Sequence, residues 1–305
     1  MEERAAAVAV EESRLRDAER AENFPVALRV LPARRRAVLR SIYDVVRTVD
    51  DVGDEGRLGP DDRLAALDAL DDDLDRVFAG STPHTRVVAG LAPHVGLLPA
   101  APFHHLVAAN RTDQTVTDYA TRKALIGYCR LSAVPIGRLV LAAFEVAPTD
   151  EVLAESDRIC VALQLIEHLQ DVAEDRARGR VYLPADARAA AGVTAEDLDA
   201  PTAPPALRRL VLDECAAARE LLAAGTPVLG RLRGAARLAV TGYVAGGHAA
   251  ADAVDRTRGD VFGRTARTRR RDLARHLARL GVGHRRAPIT TTPTTATAPR
   301  GGPRP

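Results

Sequence analysis

Gln164-Leu165-Ile166-Glu167-His168-Leu169-Gln170-Asp171-Val172-Ala173-Glu174-Asp175 is the stretch on which the reading of this chain turns. It holds no Gly or Pro, so the sequence predicts an unbroken helix through it. Glu167, Asp171 and Asp175 recur every four residues. On a helix they share one face, with Cβ atoms about 5–6 Å apart from step to step. Three stacked carboxylates repel one another, and a surface helix gains nothing from that. A bound divalent cation would relieve the repulsion. A second acidic cluster, Asp50-Asp51-Val52-Gly53-Asp54-Glu55, lies far upstream. The functional question is whether the two acidic faces meet.

Composition supplies the frame for such a meeting. The chain has 305 residues, 46% of them apolar and only 3% aromatic. Its apolar content is mostly Ala, Leu and Val, which favours helix over sheet. No strand or βαβ pattern is evident, so one all-α domain is expected, with many helices burying a core between them. A net charge of +2 provides no global field for nucleic acid. Cys129, Cys160 and Cys215 are widely spaced, without a CxxC pattern, and read as buried, reduced thiols of a cytoplasmic protein. The start, Met1-Glu2-Glu3-Arg4, is too acidic for a signal peptide. No uninterrupted apolar run is long enough to span a bilayer, which leaves peripheral membrane contact open.

Along the chain, residues 1–20 read as a charged leader, 21–283 as the helical domain, and 284–305 as a disordered Arg/Thr/Pro/Gly tail. Pro32 starts a helix whose stripe is Ala37, Val38, Ile42, Val45, Val46 and Val49. On that helix Tyr43, Arg47, Asp50 and Asp54 follow at offsets of four, three and four, so they share a face. Residues 61–79 predict an acidic amphipathic helix, with Asp71-Asp72-Asp73 as its solvated face. A helix is expected over Phe103–Arg111. A long helix from Thr117 to about Phe144 carries Pro135 as a kink, near the small residues Ser132, Ala133 and Gly137. Further helices are expected at roughly 150–176, 205–224, 226–255 and 260–280.

Carboxylate oxygens suit a hard cation. Mg²⁺ takes one or two carboxylates, keeps waters, and completes its shell with substrate phosphates. Two acidic helical faces across a cavity would hold a few Mg²⁺ ions, and those ions a diphosphate. Without metal, an anion would be repelled by roughly 4 kcal/mol per charge pair at about 4 Å in an effective dielectric near 20. Arg47, Arg178, Arg180 and Tyr182 lie close in sequence to the two clusters, and Arg pairs bidentately with phosphate oxygens. An acidic helical patch is more often plain surface, and His168 is more often a packed histidine than a ligand. Two clusters with flanking Arg and Tyr favour the metal–diphosphate reading. Gly281-Val282-Gly283 follows no strand and is not a dinucleotide loop.

The wording of these motifs resembles a known family. Tyr43 and Arg47-Thr48-Val49-Asp50-Asp51-Val52-Gly53-Asp54 resemble the first aspartate-rich motif of squalene and phytoene synthases. Tyr128 to Arg138 is similar to their central helix motif. Leu163 to Asp175, with Arg180-Val181-Tyr182-Leu183-Pro184, resembles their second aspartate-rich motif and trailing loop. Glu22-Asn23-Phe24-Pro25-Val26 and Cys129-Arg130-Leu131-Ser132-Ala133 most resemble the bacterial hydroxysqualene synthase branch, associated with squalene and hopanoid pathways.

The resemblance implies a single-domain isoprenoid-synthase-type helical bundle around a central cavity. It implies Mg²⁺ held by Asp50, Asp54, Asp171 and Asp175, with Glu167 where many members have Asn. Arg47, Arg180 and Tyr182 match positions near the diphosphate, and Tyr43, Tyr128 and Gln164 match the cavity; Phe24 and Ser132 join the substrate-binding set. The branch converts presqualene diphosphate to hydroxysqualene and diphosphate without NADPH. Its partners would be the prenyl diphosphate and, through the pathway, other squalene-forming enzymes. Sister branches condense two prenyl diphosphates head to head, and a non-catalytic isoprenoid-binding scaffold is a third reading. Val134, where a polar residue is common, would make the cavity drier.

Overall fold

The computed structural model describes residues 31–54, 58–262 and 266–283. The expectations for residues 1–20, for Phe24 and for residues 284–305 lie outside the described residues. Fourteen helices are described there: α1 (Ala33–Asp54), α2 (Pro60–Phe78), α3 (Arg86–Ala89), α4 (Ala101–Asp113), α5 (Arg122–Ser132), α6 (Val134–Ala143) and α7 (Asp150–Gln170), then α8 (Val172–Ala177), α9 (Ala185–Ala191), α10 (Ala195–Leu198), α11 (Pro205–Gly225), α12 (Val228–Arg231), α13 (Gly234–Arg256) and α14 (Arg270–Gly283). Among the described residues there is no strand, only a single bridge between Asp118 and Val181. The all-α expectation holds.

Three apolar clusters fill the described bundle, the smallest gathering Tyr119, Tyr128, Cys129 and Tyr182. Val38, Ile42, Val45 and Val49 of α1 pack with Leu67 and Leu74 of α2 and Phe103 and Leu106 of α4. Ile159, Ala162 and Ile166 of α7 pack with Leu207, Leu222 and Val244 of α11 and α13. Helix α7 is the spine, since α5, α6, α11 and α13 all pack on it. Gly137 lets α6 approach it closely. A Cβ there would lie 2.4 Å from Cys160 Sγ, closer than any packed carbon sits.

The organising stretch departs from an unbroken helix. Asp171, at φ −107° and ψ 14°, separates α7 from α8. Its backbone N–H still reaches Glu167 O at 3.0 Å, and Asp175 N reaches Asp171 O at 2.8 Å. The chain therefore bends at Asp171, with one hydrogen bond on either side of the break, and Leu169 and Val172 both stay in the core.

The helix expected from Thr117 starts only at Arg122, where Thr121 Oγ1 caps Ala124 N at 3.1 Å. Residues 117–120 are extended because the loop after α8 needs acceptors. Val181 N donates to Thr117 O at 2.8 Å and Ala185 N to Tyr119 O at 2.9 Å. Pro135 brings a break at Ala133 rather than a mild kink, and sits in the first turn of α6, where its missing N–H is harmless. The two last helices also shift. A short α12 and a turn at Leu232-Arg233 precede α13, and α14 begins at Arg270.

Asp73 corrects the reading of Asp71-Asp72-Asp73 as a solvated face. It is 1% exposed. Its carboxylate accepts His84 N at 2.5 Å, Thr85 N at 2.7 Å and Thr85 Oγ1 at 2.7 Å. Asp71 is tied down as well, to His104 Nδ1 at 2.6 Å and Arg111 at 2.8 Å. The acidic run clamps α2 to the loop before α3 and to α4.

Burial would raise the pKa of Asp73, but its three hydrogen bonds outweigh burial and hold the carboxyl below its ordinary value. That contribution is present above the unfolded-state pKa and disappears as pH falls through the lower folded value. Replacing Asp73 with Ala should therefore destabilise the fold by about 2–3 kcal/mol at pH 7. In urea titrations the difference from the parent should narrow below about pH 4; a pH-independent difference would contradict this.

Candidate active site

A cavity of about 570 Å³ opens between α1, α4, α5, α6, α7 and α13. Its deep wall is apolar, with Leu106, Ile136, Val140, Ile159, Leu163 and Val240. Its polar residues concentrate where α1, α4 and α7 end. The helical spacing of Arg47, Asp50 and Asp54 brings all three to this wall. Arg47 Nε pairs with Asp51 Oδ1 at 2.8 Å. Asn110 Nδ2 of α4 donates to Asp50 Oδ1 at 3.2 Å. Gly53 permits this contact, because a Cβ there would overlap Asn110 Oδ1 at 2.0 Å.

Asp50 is pushed up to about 6, first by desolvation in the cavity wall and then by the Asp54 charge, with the Asn110 hydrogen bond opposing. The second cluster behaves alike. Glu167 lines the cavity and is raised by desolvation and by Asp175. Asp171 is raised to about 6 by desolvation and by Glu167, Glu174 and Asp175. These are carboxylates crowded enough to hold protons that isolated ones would lose.

Of the second cluster only Glu167 borders the same cavity as Asp50 and Asp54, and an ion pair links the first cluster to the loop after the second. Arg180, in the loop after α8, donates to Asp54 Oδ1 at 2.7 Å. The pair joins the end of the first acidic face to the segment that follows the second. Beside it lies Asp113, the last residue of α4, which accepts Tyr128 OH at 2.6 Å and Tyr182 OH at 3.3 Å. Burial is the main reason that Asp113 is raised to about 6. Burial and the Asp113 charge push the Tyr128 and Tyr182 phenols well above their ordinary value. His168 stacks on Tyr182 with ring centroids 3.8 Å apart, and its Nδ1 is 3.8 Å from Asp175 Oδ2. His168 is thus packed against the site.

Seven of the residues expected at the site line the cavity: Arg47, Asp50, Asp54, Tyr128, Ser132, Gln164 and Glu167. Arg180 and Tyr182 join through Asp54 and Asp113. Asp171 and Asp175, at and beyond the bend, do not border the cavity, and Tyr43 does not border it either. Ser132 Oγ is buried without a hydrogen-bond partner. Asp113 and Asn110 escaped the sequence reading. Their only trace is a pair of polar residues three apart on a helix whose neighbours Leu106, Val107 and Ala109 are buried.

Among the described residues no three His, Cys, Asp or Glu side chains converge to form a complete metal cage. The acids that line the cavity are instead Asp50, Asp51, Asp54, Asp113 and Glu167, beside a space large enough for an anionic ligand. That donor set fits a hard cation which draws the rest of its shell from phosphate and water. Cys160, on the same wall, has its thiol pushed up to about 12, mainly by burial, and is inert as a nucleophile.

With the geometry in place, the relatives can be compared. The family model for squalene/phytoene synthase matches residues 18–272, and the chain belongs to that family, whose members are synthases acting on prenyl diphosphates. A hydroxysqualene synthase of Rhodopseudomonas palustris is 35% identical over 215 residues, covering 70% of this chain and 72% of the relative. A phytoene synthase of Mycobacterium tuberculosis is 35% identical over 167 residues, covering 54% of each chain. The crystal structure of squalene synthase HpnC from Alicyclobacillus acidocaldarius superposes with a TM-score of 0.73 at 35% identity, over 81% of this chain and 93% of that one. A dehydrosqualene synthase structure shares the fold, with a TM-score of 0.76 at 21% identity, over 89% of this chain and 95% of that one.

Raised carboxylates leave a signature in the metal-free protein. A carboxyl whose folded pKa exceeds its unfolded value stabilises below the unfolded value, near 4, and loses that contribution as pH rises through about 6. Asp113→Asn should therefore raise the melting temperature in EDTA at pH 7.5, and the gain should shrink at pH 4.5. A lower melting temperature at pH 7.5 would contradict the assignment of Asp113 as a strained carboxylate.

Proposed function

We propose that this enzyme converts presqualene diphosphate to hydroxysqualene with release of diphosphate, in a Mg²⁺-dependent reaction. The observation that carries the proposal is the Asp54–Arg180 pair, which joins the two acidic segments at the polar end of an apolar cavity. The motif wording of the hydroxysqualene synthase branch and the 35% identity to the Rhodopseudomonas palustris enzyme support the choice of reaction.

Asp50 and Asp54 on one side, and Asp171 and Asp175 with Glu167 on the other, would hold the metal. Mg²⁺ would neutralise the charge that develops on the departing diphosphate. Arg178 lies on the cavity wall and Arg180 at its edge. Both can orient diphosphate oxygens through paired N–H donors. The C–O bond breaks with its electron pair leaving on the diphosphate. The cyclopropylcarbinyl cation that remains would rearrange against the aliphatic part of the wall, formed by Leu106, Ile136, Val140, Ile159, Leu163 and Val240. Water then forms the new C–O bond and loses its proton to the diphosphate or to solvent. No hydride enters this sequence, so NADPH is not required.

The similarity to phytoene synthases favours a second reading, in which two prenyl diphosphates are condensed head to head. Incubating the purified protein and Mg²⁺ separately with farnesyl diphosphate and with presqualene diphosphate distinguishes the two. Hydroxysqualene from presqualene diphosphate is the expected product. Efficient formation of presqualene diphosphate from farnesyl diphosphate would overturn the first reading. Asp50→Asn and Asp171→Asn should each lower turnover by roughly 10²–10³-fold with the fold intact.

A further inference from the structure

The proposed reaction ends when water forms a C–O bond beside a wall that is largely aliphatic. A water buried there needs about two to four polar partners. Neutral partners suit the task, because a carboxylate would itself pair with the cation and capture it. Ser132 supplies one such partner. It borders the cavity, and its Oγ is buried without a hydrogen-bond partner among the described residues. Most buried hydroxyls are hydrogen-bonded, so an unpaired one in a cavity wall points to a partner on the cavity side. The other hydroxyls of the wall are placed differently. Tyr128 OH donates to Asp113 at 2.6 Å. Ser156 is hydrogen-bonded to Cys160. Tyr243 stands on α13 and is 37% exposed.

Packing sets the depth of Ser132. Helices α5 and α6 lie against α7, and two contacts show that they run antiparallel to it. At one end Tyr128 lies beside His168, with ring centroids 6.2 Å apart. At the other, Gly137 comes against Cys160, whose Sγ would lie 2.4 Å from an added Cβ. Ser132 falls midway between Tyr128 and Gly137, and Gln164 midway between His168 and Cys160. Ser132 and Gln164 therefore border the cavity at the same level. Gln164 Nε2 is turned to His168 Nε2 at 3.5 Å, which leaves its Oε1 for a further partner. This level is one turn, about 5 Å, inward from Tyr128 and Glu167. A carbon that has just parted from a diphosphate at the acidic end would lie at that depth.

We propose that Ser132 is a positioning residue that, together with Gln164, holds the water that captures the carbocation. The inference rests on the reaction proposed above. The water donates one O–H to Ser132 Oγ and the other to Gln164 Oε1, so an oxygen lone pair is left for the cation. That pair forms the C–O bond, and the resulting oxonium loses its proton to diphosphate or to solvent. Without a held water, the cation instead gives up a proton from a neighbouring carbon to the diphosphate and becomes a hydrocarbon. Ser132 thus decides between alcohol and alkene.

The test is product analysis with purified protein, Mg²⁺ and presqualene diphosphate, read as hydroxysqualene and hydrocarbon formed per diphosphate released. Ser132→Ala should lower the ratio of alcohol to hydrocarbon about tenfold, as loss of one hydrogen bond to the water would. Ser132→Thr, which keeps the hydroxyl, should restore most of the ratio. A Ser132→Ala protein that releases diphosphate more slowly at the parent's ratio would overturn the proposal, because lost packing alone does that. If the variant fails to fold or to turn over, a crystal structure of the parent decides. It should show an ordered water within about 3.2 Å of both Ser132 Oγ and Gln164 Oε1, and the lack of one would overturn the proposal. A parent that forms no hydroxysqualene would overturn the reaction and this inference with it. A parent that forms it at a ratio indifferent to Ser132 would leave the reaction standing and sink the inference alone.

Discussion

Carboxylates buried in and beside the polar end of an apolar cavity are costly to ionise, first because they lose water and then because they repel one another, and the rest of this structure holds them there. Asp50, Asp113 and Asp171 are each raised to about 6, so at neutral pH the fold carries three anions that would be more comfortable in water. Helix packing holds them there. Helix α7 lies against α5, α6, α11 and α13, and the stripe of Val38, Ile42, Val45 and Val49 fixes the roll of α1. Hydrogen bonds from Asn110, Tyr128 and Tyr182 relieve part of the strain, and cations relieve more. Arg180 does so for Asp54, and Arg47 does so for Asp51. The remaining negative charge faces the cavity, where stability is given up for a site that favours metal and phosphate.

Much of this arrangement was legible in the order of residues, for a definite reason. Tyr43, Arg47, Asp50 and Asp54 repeat at helical spacing, and a helix converts spacing directly into a shared face. The apolar stripes of α1, α2 and α7 could be read in the same way. What escaped was whatever depends on another part of the chain. Asp171 breaks the helix with no Gly or Pro to announce it. Asp73 is buried because the backbone N–H groups of His84 and Thr85 come to it. Thr117 to Ala120 stay extended because the loop after α8 uses their carbonyls. Asp113 and Asn110 reach the site singly, and a single polar residue has no period.

Asp171 lies at the bend and Asp175 beyond it, and Glu167 is the second cluster's acid that borders the cavity. A ligand held between the two clusters would then lie with its charged end beyond the wall and its apolar part within. Asp113, Tyr128, Tyr182 and His168 form a packed aromatic and carboxylate floor beneath that boundary. Ala133 lines the adjoining wall, where Ser132 Oγ is a buried hydroxyl without a partner; Val134, expected to make the cavity drier, does not line it and packs in the core with Cys129 and Val161.

The central claim is that one ligand is gripped by both acidic clusters at once. A crystal grown with Mn²⁺ and inorganic diphosphate tests it most directly, because Mn²⁺ scatters anomalously and takes the same oxygen ligands as Mg²⁺. The account predicts anomalous peaks roughly 2.1 Å from carboxylate oxygens of both clusters, one set at Asp50 and Asp54 and another at Asp171 and Asp175, with the diphosphate between them. Peaks at one cluster alone, or a diphosphate bound without metal, would contradict it.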